Sequence, residues 1–187
     1  MKTKLAIFDL DGTLFDTRPV NYSAYSQALR EEGSLLDRAF YESHCNGKFY
    51  KDYLPLIINN PTDEVMERIH RRKKQLYKTF LSSATINEHL FYLIELMRND
   101  YHIALVTTAS KVNCMDILEF NHKTSLFEYI LTQEDVVSVK PNPEGFLKAI
   151  AYFGVAPKNT LVFEDSEAGI EAARKCGASI LTVLDFS

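Results

Sequence analysis

A chain of 187 residues, 46% of them hydrophobic, can bury a sizeable core and suits one domain carrying an insertion better than two independent domains. A formal net charge of −4 and an isoelectric point near 5.7 exclude the broad positive field of nucleic-acid and anionic-membrane binders, so an anionic ligand must be met by local cations. The three cysteines, Cys45, Cys114 and Cys176, are odd in number and far apart, which speaks against a disulfide framework or a clustered zinc site and marks them as small buried apolar residues.

Lys4–Leu10 (KLAIFDL) is a short apolar run closed by Asp11-Gly12, the pattern of a buried strand feeding a loop. Lys2 and Lys4 precede it, but Asp9 interrupts the run before a secretory segment would be complete, and no long uncharged span follows. A cytoplasmic location is therefore expected, with neither membrane nor nucleic acid as a partner. From about Asp16 to Ala84 the chain holds helical periodicity and no buried strand, with Val65, Met66, Ile69, Leu76, Tyr77 and Phe80 on one apolar stripe. Residues 16–84 read as an all-helical insertion, between core segments 1–15 and 85–187. The run Arg71-Arg72-Lys73-Lys74 falls mostly on the polar side of that stripe and reads as a solvated helix face.

Beyond residue 85 helix and strand alternate. A helical pattern through Ile86, Leu90, Leu93, Ile94 and Met97 precedes the apolar run His102–Thr108. A second helix, through Val112, Met115 and Leu118, precedes Tyr129–Thr132. A third, through Phe146, Leu147 and Ile150, precedes Thr160–Phe163. The last helix, Ala168–Lys175, is closed by Gly177 and followed by the run Ser179–Val183. This alternation predicts an α/β fold whose parallel sheet is covered on both faces and binds ligands at the carboxyl ends of its strands.

Asp9-Leu10-Asp11-Gly12-Thr13 sets two carboxylates two residues apart at one such strand end, an arrangement that alone reads equally as a solvated turn. Thr107 ends the next run and offers a hydroxyl, with neighbouring backbone N–H groups, to phosphate oxygens. Lys140 precedes Pro141 and Pro143, an extended stretch that fixes an ammonium, although a lone lysine there is usually a surface charge. Glu164-Asp165 follows TLVF and reads either as a functional acid pair or as a helix start, with Asp165 as the cap ahead of Ala168.

These four elements fall in order at successive strand ends. With the segments DLDGT, LVTTAS, KPNPEGF and FEDSEAGIEAARKCG, the sequence resembles the haloacid dehalogenase-like hydrolase superfamily, in its helical-cap subgroup near the beta-phosphoglucomutase-like phosphatases. The resemblance spans nearly the whole core. It implies a Rossmann-like parallel sheet core with an inserted all-helical cap, and a magnesium-dependent phosphohydrolase of a small phosphorylated metabolite, monomeric or weakly dimeric. It implies that Asp9 is the nucleophile and that Asp11 protonates the leaving oxygen and then deprotonates water. Mg2+ would be held by the Asp9 carboxylate, the Asp11 backbone carbonyl and Asp165, with Glu164 ligating or supporting, while Thr107, Thr108 and Lys140 grip the phosphoryl group. The physical need is general: a phosphate dianion repels a carboxylate nucleophile unless cations and donors neutralise its oxygens.

Within the superfamily, dehalogenases need neither metal nor a second acid, and Asp11 argues against them. A sugar phosphomutase shares all four elements, but such relatives tend to carry a histidine where this chain places Asn21. A receiver-type module needs an aspartate ending a central strand, and Leu105-Val106-Thr107-Thr108 has none; the intact acid set argues against a non-catalytic binding module. In the insertion, the turn Asn46-Gly47-Lys48, with Lys51 and His44 nearby, reads as polar and cationic. Relatives place a glycine-containing recognition loop at a comparable position, which singles out Lys48 as a substrate contact, against the alternative of an ordinary surface lysine.

Overall fold

The computed structural model describes residues 2–45 and 48–184, and the chain divides into two units, Met1–Asp16 with Thr85–Ser187, and Thr17–Ala84. The first unit carries β1 (Lys4–Phe8) and β2 (Phe15–Asp16). The second carries α1 (Arg18–Glu31), α2 (Arg38–Phe40), α3 (Tyr50–Tyr53) and α4 (Asp63–Tyr77), with a single π turn at Tyr41–Cys45. The first unit then resumes with β3 (Thr85–Ile86), α5 (Glu88–Met97), β4 (Tyr101–Val106), α6 (Lys111–Phe120), β5 (Tyr129–Leu131), α7 (Glu144–Phe153), β6 (Thr160–Glu164), α8 (Glu167–Cys176) and β7 (Ser179–Thr182).

The sheet is parallel, in the order β5-β4-β1-β6-β7. β1 is central, and its Leu5, Ala6, Ile7 and Phe8 are all fully buried, as an uninterrupted apolar run requires when both faces are covered. Leu5 and Ile7 join Ala104, Val106, Leu131 and Val162 beneath Phe146, Ala149 and Ile150 of α7 and Ala172, Ala173 and Cys176 of α8. Phe8 points to the other face and stacks on Phe163, with ring centroids 4.3 Å apart. The register sets Phe8 beside Leu105 and Phe163, so the first polar residues after β1, β4 and β6 leave the sheet at one edge. Gly154 and Gly177 take left-handed backbone (φ 63° and 77°) and end α7 and α8.

Several details differ from the sequence reading. Asp16 and Ile86 belong to the two-residue strands β2 and β3, which pair antiparallel, rather than to the insertion and to a helix. α6 buries Cys114, Ile117 and Leu118 while Val112 is exposed, and Leu147 of α7 is also exposed. Each is a shift of the buried face by one helical position, which periodicity alone does not resolve.

The helical unit has its own core, in which Tyr25, Ala28 and Leu29 of α1 meet Tyr41, Cys45, Tyr53, Met66 and Ile69. Thr62 caps α4, accepting from the Val65 N–H at 3.3 Å. Arg68 and Arg72 of α4 make two-pronged ion pairs with Glu32 and Glu31. Lys73, read above as solvated, is buried, its ammonium 5.3 Å from the Tyr25 ring centroid and 5.0 Å from that of Tyr77. All three cysteines are buried and unpaired. Among the described residues, no helix is long and apolar enough to cross a membrane.

Candidate active site

β1 delivers Asp9 to the carboxyl edge of the sheet, where its N–H donates to the Phe163 carbonyl at 3.0 Å and its side chain is buried. The chain then turns tightly: the N–H groups of Leu14 and Phe15 both donate to the Leu10 carbonyl at 3.0 Å, and Gly12 donates to the Phe15 carbonyl at 2.8 Å. Gly12 is required here twice over. Its φ is +91°, and a Cβ at this position would lie 2.1 Å from Asp165 Oδ2. The Asp11–Gly12 backbone is therefore pressed against the Asp165 carboxylate, whose other oxygen accepts from the Thr13 hydroxyl at 2.9 Å.

β6 ends at Glu164, whose side chain is fully buried. Its Oε2 accepts from the Ser166 N–H at 2.8 Å and the Ser166 hydroxyl at 3.0 Å, and its Oε1 faces Lys140. The carboxylate occupies the space a side chain at Gly169 would need: a Cβ there would stand 1.7 Å from Oε1. Ser166, not Asp165, caps α8, accepting from the Gly169 N–H at 3.1 Å. Asp165 is thereby released from capping and stays beside Gly12.

Lys140 joins these acids. Its Nζ lies 2.5 Å from Asp9 Oδ1, 2.6 Å from Glu164 Oε1 and 2.9 Å from the Val106 carbonyl, with the Phe146 ring centroid 5.0 Å away. An ammonium has three hydrogens to donate, and these three acceptors match them. Burial by itself would lower the Lys140 pKa, but the Asp9 and Glu164 charges outweigh it and hold the pKa above the ordinary value. Burial raises Asp9 well above the carboxylate range, against the opposing pull of Lys140, and Glu164 and Asp11 push it further the same way. Asp165 is raised too, by burial first, with the Thr13 hydrogen bond opposing and the Glu164 charge adding to it. Three closely set carboxylates thus share one ammonium.

Thr107 follows β4 directly and is buried. Its N–H is committed to the Leu131 carbonyl at 2.9 Å, and its hydroxyl oxygen accepts from the Ala109 N–H at 3.0 Å. The hydroxyl proton is what remains to it as a donor. Thr108 is exposed and Asp11 half-buried. Of the residues singled out in the sequence, Asp9, Lys140 and Glu164 are in direct contact, and Asp165 is tied to the same loop by Thr13. Thr13 and Ser166 join the site without being predicted from the sequence; the one signal is that each lies close to an acid, in DLDGT and in FEDSEAG.

Among the described residues, no three His, Cys, Asp or Glu side chains converge as a ready-made metal cage. The donors on offer are the buried carboxylate of Asp9 and the half-buried carboxylate of Asp165, with an excess of negative charge, and a backbone turn pressed against the second of them. Few, hard oxygen ligands of this kind suit a divalent ion that keeps several of its waters, and do not suit a nitrogen- or sulfur-seeking metal.

In the helical unit, Asn46 and Gly47 lie outside the described residues. Lys48 is exposed, and its N–H donates to the Cys45 carbonyl at 3.0 Å. Lys51 is less of a free cation than the sequence suggested, because it pairs with Asp63 at 3.1 Å and stands 3.6 Å from Glu67. His44 is exposed and stacks on Phe40. Asn21 donates to the Thr17 carbonyl at 3.1 Å.

A family model described as haloacid dehalogenase-like hydrolase matches residues 6–183. The chain is 26% identical over 177 residues to a phosphorylated carbohydrates phosphatase of Thermotoga maritima, covering 91% of this chain and 80% of the relative. It is 25% identical over 177 residues to a fructose-1-phosphate phosphatase of Escherichia coli, covering 95% and 94%. A crystal structure of beta-phosphoglucomutase from Clostridium difficile superposes with a TM-score of 0.75 at 24% identity, over 100% of this chain and 86% of that one, a likeness of fold.

Proposed function

Because the chain belongs to the haloacid dehalogenase-like hydrolases, we propose that it is a phosphatase of small phosphorylated metabolites, sugar phosphates foremost, working through a phosphoryl group carried on Asp9. The observation that supports this most directly is the buried Asp9 carboxylate held 2.5 Å from the Lys140 ammonium. A carboxylate so placed cannot turn away from an incoming phosphorus, and the ammonium beside it neutralises part of the charge that would repel the substrate.

In the first step an Asp9 oxygen bonds to phosphorus, the bond from phosphorus to the leaving oxygen breaks, and Asp11 gives that oxygen a proton. In the second step Asp11 takes a proton from water, the water oxygen bonds to phosphorus, and the Asp9–phosphorus bond breaks, releasing inorganic phosphate. Lys140 faces the phosphoryl oxygens throughout, and the Thr107 hydroxyl donates to one of them. Glu164 and Ser166 keep Lys140 charged and in place. Mg2+, held by Asp9, Asp165 and the Asp11 carbonyl, supplies when bound the remaining positive charge for a phosphate dianion. The helical unit is assigned the choice of leaving group, with Lys48 as the contact to test by comparing a sugar phosphate with an aryl phosphate.

The test is hydrolysis of p-nitrophenyl phosphate and of a panel of sugar phosphates, with Mg2+ and with excess chelator. Activity with Mg2+ that disappears in chelator and in Lys140→Ala is expected. Full activity in chelator would overturn the role of the metal, and full activity of Lys140→Ala the role of the ammonium.

A further inference from the structure

The loop that carries Lys140, residues 136–143, has no regular structure, and Val137 in it is 94% exposed. Exposed loops without packing are ordinarily mobile, yet this one must hold an ammonium within hydrogen-bond tolerance of two carboxylates. The geometry points to Glu144 as the positioning residue that fixes Lys140, an inference that rests on the phosphatase reading of Lys140.

Glu144 opens α7, and its carboxylate reaches back across the loop. Oε1 accepts from the Val137 N–H at 3.0 Å and Oε2 from the Ser138 N–H at 2.9 Å. The Glu144 N–H donates to Asn142 Oδ1 at 3.0 Å, and the Asn142 N–H to the Val139 carbonyl at 3.0 Å. The loop is thus closed on both sides of Lys140 onto the first turn of a helix whose Phe146 and Ile150 are buried in the core. Lys148 steadies the clamp, bonding Glu144 Oε1 at 2.8 Å and the Asp135 carbonyl at 2.8 Å. The same α7 turn carries the Phe146 ring next to the ammonium, so one helix end locates both the loop and the surface Lys140 packs on. Glu144 touches no reacting atom; it acts through Lys140.

Orthovanadate binding with Mg2+ present, measured by calorimetry, tests this without turnover. Glu144→Ala is expected to weaken vanadate and to lower kcat/KM for p-nitrophenyl phosphate by on the order of tenfold or more, as small misplacements of a charged group do. Glu144→Gln, which keeps one acceptor, is expected to fall between Glu144→Ala and the unaltered protein. Adding Glu144→Ala to Lys140→Ala is expected to change vanadate binding less than about twofold, because the group being positioned is gone. Equal losses in both backgrounds would overturn the proposal, as would full activity of Glu144→Ala. A Lys140→Ala protein with unchanged vanadate binding would instead overturn the role given to the Lys140 ammonium, on which the proposal rests.

Discussion

Replacing Gly169 by alanine probes the buried end of the site. In an exposed helix this exchange stabilises by about 1 kcal/mol, because alanine loses less backbone freedom than glycine. At Gly169 the new Cβ would fall 1.7 Å from Glu164 Oε1 and 1.9 Å from its Cδ, well inside contact distance, so the carboxylate has to leave. In leaving, it gives up Ser166 and the 2.6 Å pair with Lys140. Breaking a buried ion pair costs about 3–5 kcal/mol, which less the helix gain leaves a net loss of about 2–4 kcal/mol. At about 2–4 °C per kcal/mol for a chain of this size, Tm is expected to fall by about 4–16 °C, with activity lost alongside. Scanning calorimetry and p-nitrophenyl phosphate hydrolysis measure the two. Glu164→Ala supplies the control: on that background Gly169→Ala is expected to cost nothing. A Gly169→Ala protein with raised Tm and full activity would refute the claim that Glu164 holds this site together.

Asp11→Asn is expected to lower kcat on the order of a hundredfold while leaving Mg2+ binding largely intact, checked by steady-state kinetics and metal titration. Asp9→Asn is expected to abolish turnover and to leave no acid-stable phosphoryl label on the protein after quenching. His70 stacks on Tyr50 and bonds the Tyr25 hydroxyl through Nδ1 at 2.7 Å, and burial first, then Lys74 and Lys73, lower its pKa from 6.5 to about 4. The unfolded chain therefore binds this proton first as pH falls, so stability declines from pH 6.5 down to about 4; His70→Gln is expected to flatten the Tm profile across that window.

The sheet was legible in the sequence because its strands are apolar runs ended by polar residues that cannot stay inside, as Phe8 gives way to Asp9 and Phe163 to Glu164. The helix ends were legible where glycine has a backbone role, at Gly177. What escaped depends on partners distant in sequence. β2 and β3 are two residues each, and Phe15 meets Ile86 only once the chain has folded. Lys73 lies in a basic run, and although Tyr77 stands one turn further along α4, nothing local shows that Tyr25 of α1 also meets the ammonium. The Glu164-Asp165 pair gave an ambiguity between capping and chemistry that sequence could not resolve, since Ser166 competes for the cap by geometry alone. The Glu144 clamp is not legible in the sequence, because one glutamate in KPNPEGF has no local sign that its carboxylate turns back onto Val137 and Ser138.

Asp165 carries the sharpest trade between stability and function. Burial raises its pKa above 3.8, with the Glu164 charge adding to the rise. A carboxyl whose folded pKa exceeds its unfolded pKa favours the fold below the unfolded value and loses that contribution as pH rises through the folded one, so at neutral pH the ionised Asp165 opposes folding when no cation is bound. Asp165→Asn removes that charge and keeps an oxygen for the Thr13 hydroxyl. It is therefore expected to raise Tm in chelator, or leave it unchanged, while abolishing activity. In the unaltered protein, Mg2+ at a hundred times its Kd is expected to add about 2.7 kcal/mol, or about 5–11 °C, a shift that Asp165→Asn is expected to lose. Thermal melts of both proteins across a Mg2+ titration decide the matter. If Asp165→Asn lowered Tm in chelator, the carboxylate would be a structural anchor for the Gly12 turn, and if its melt still rose with Mg2+, the ion would be bound elsewhere.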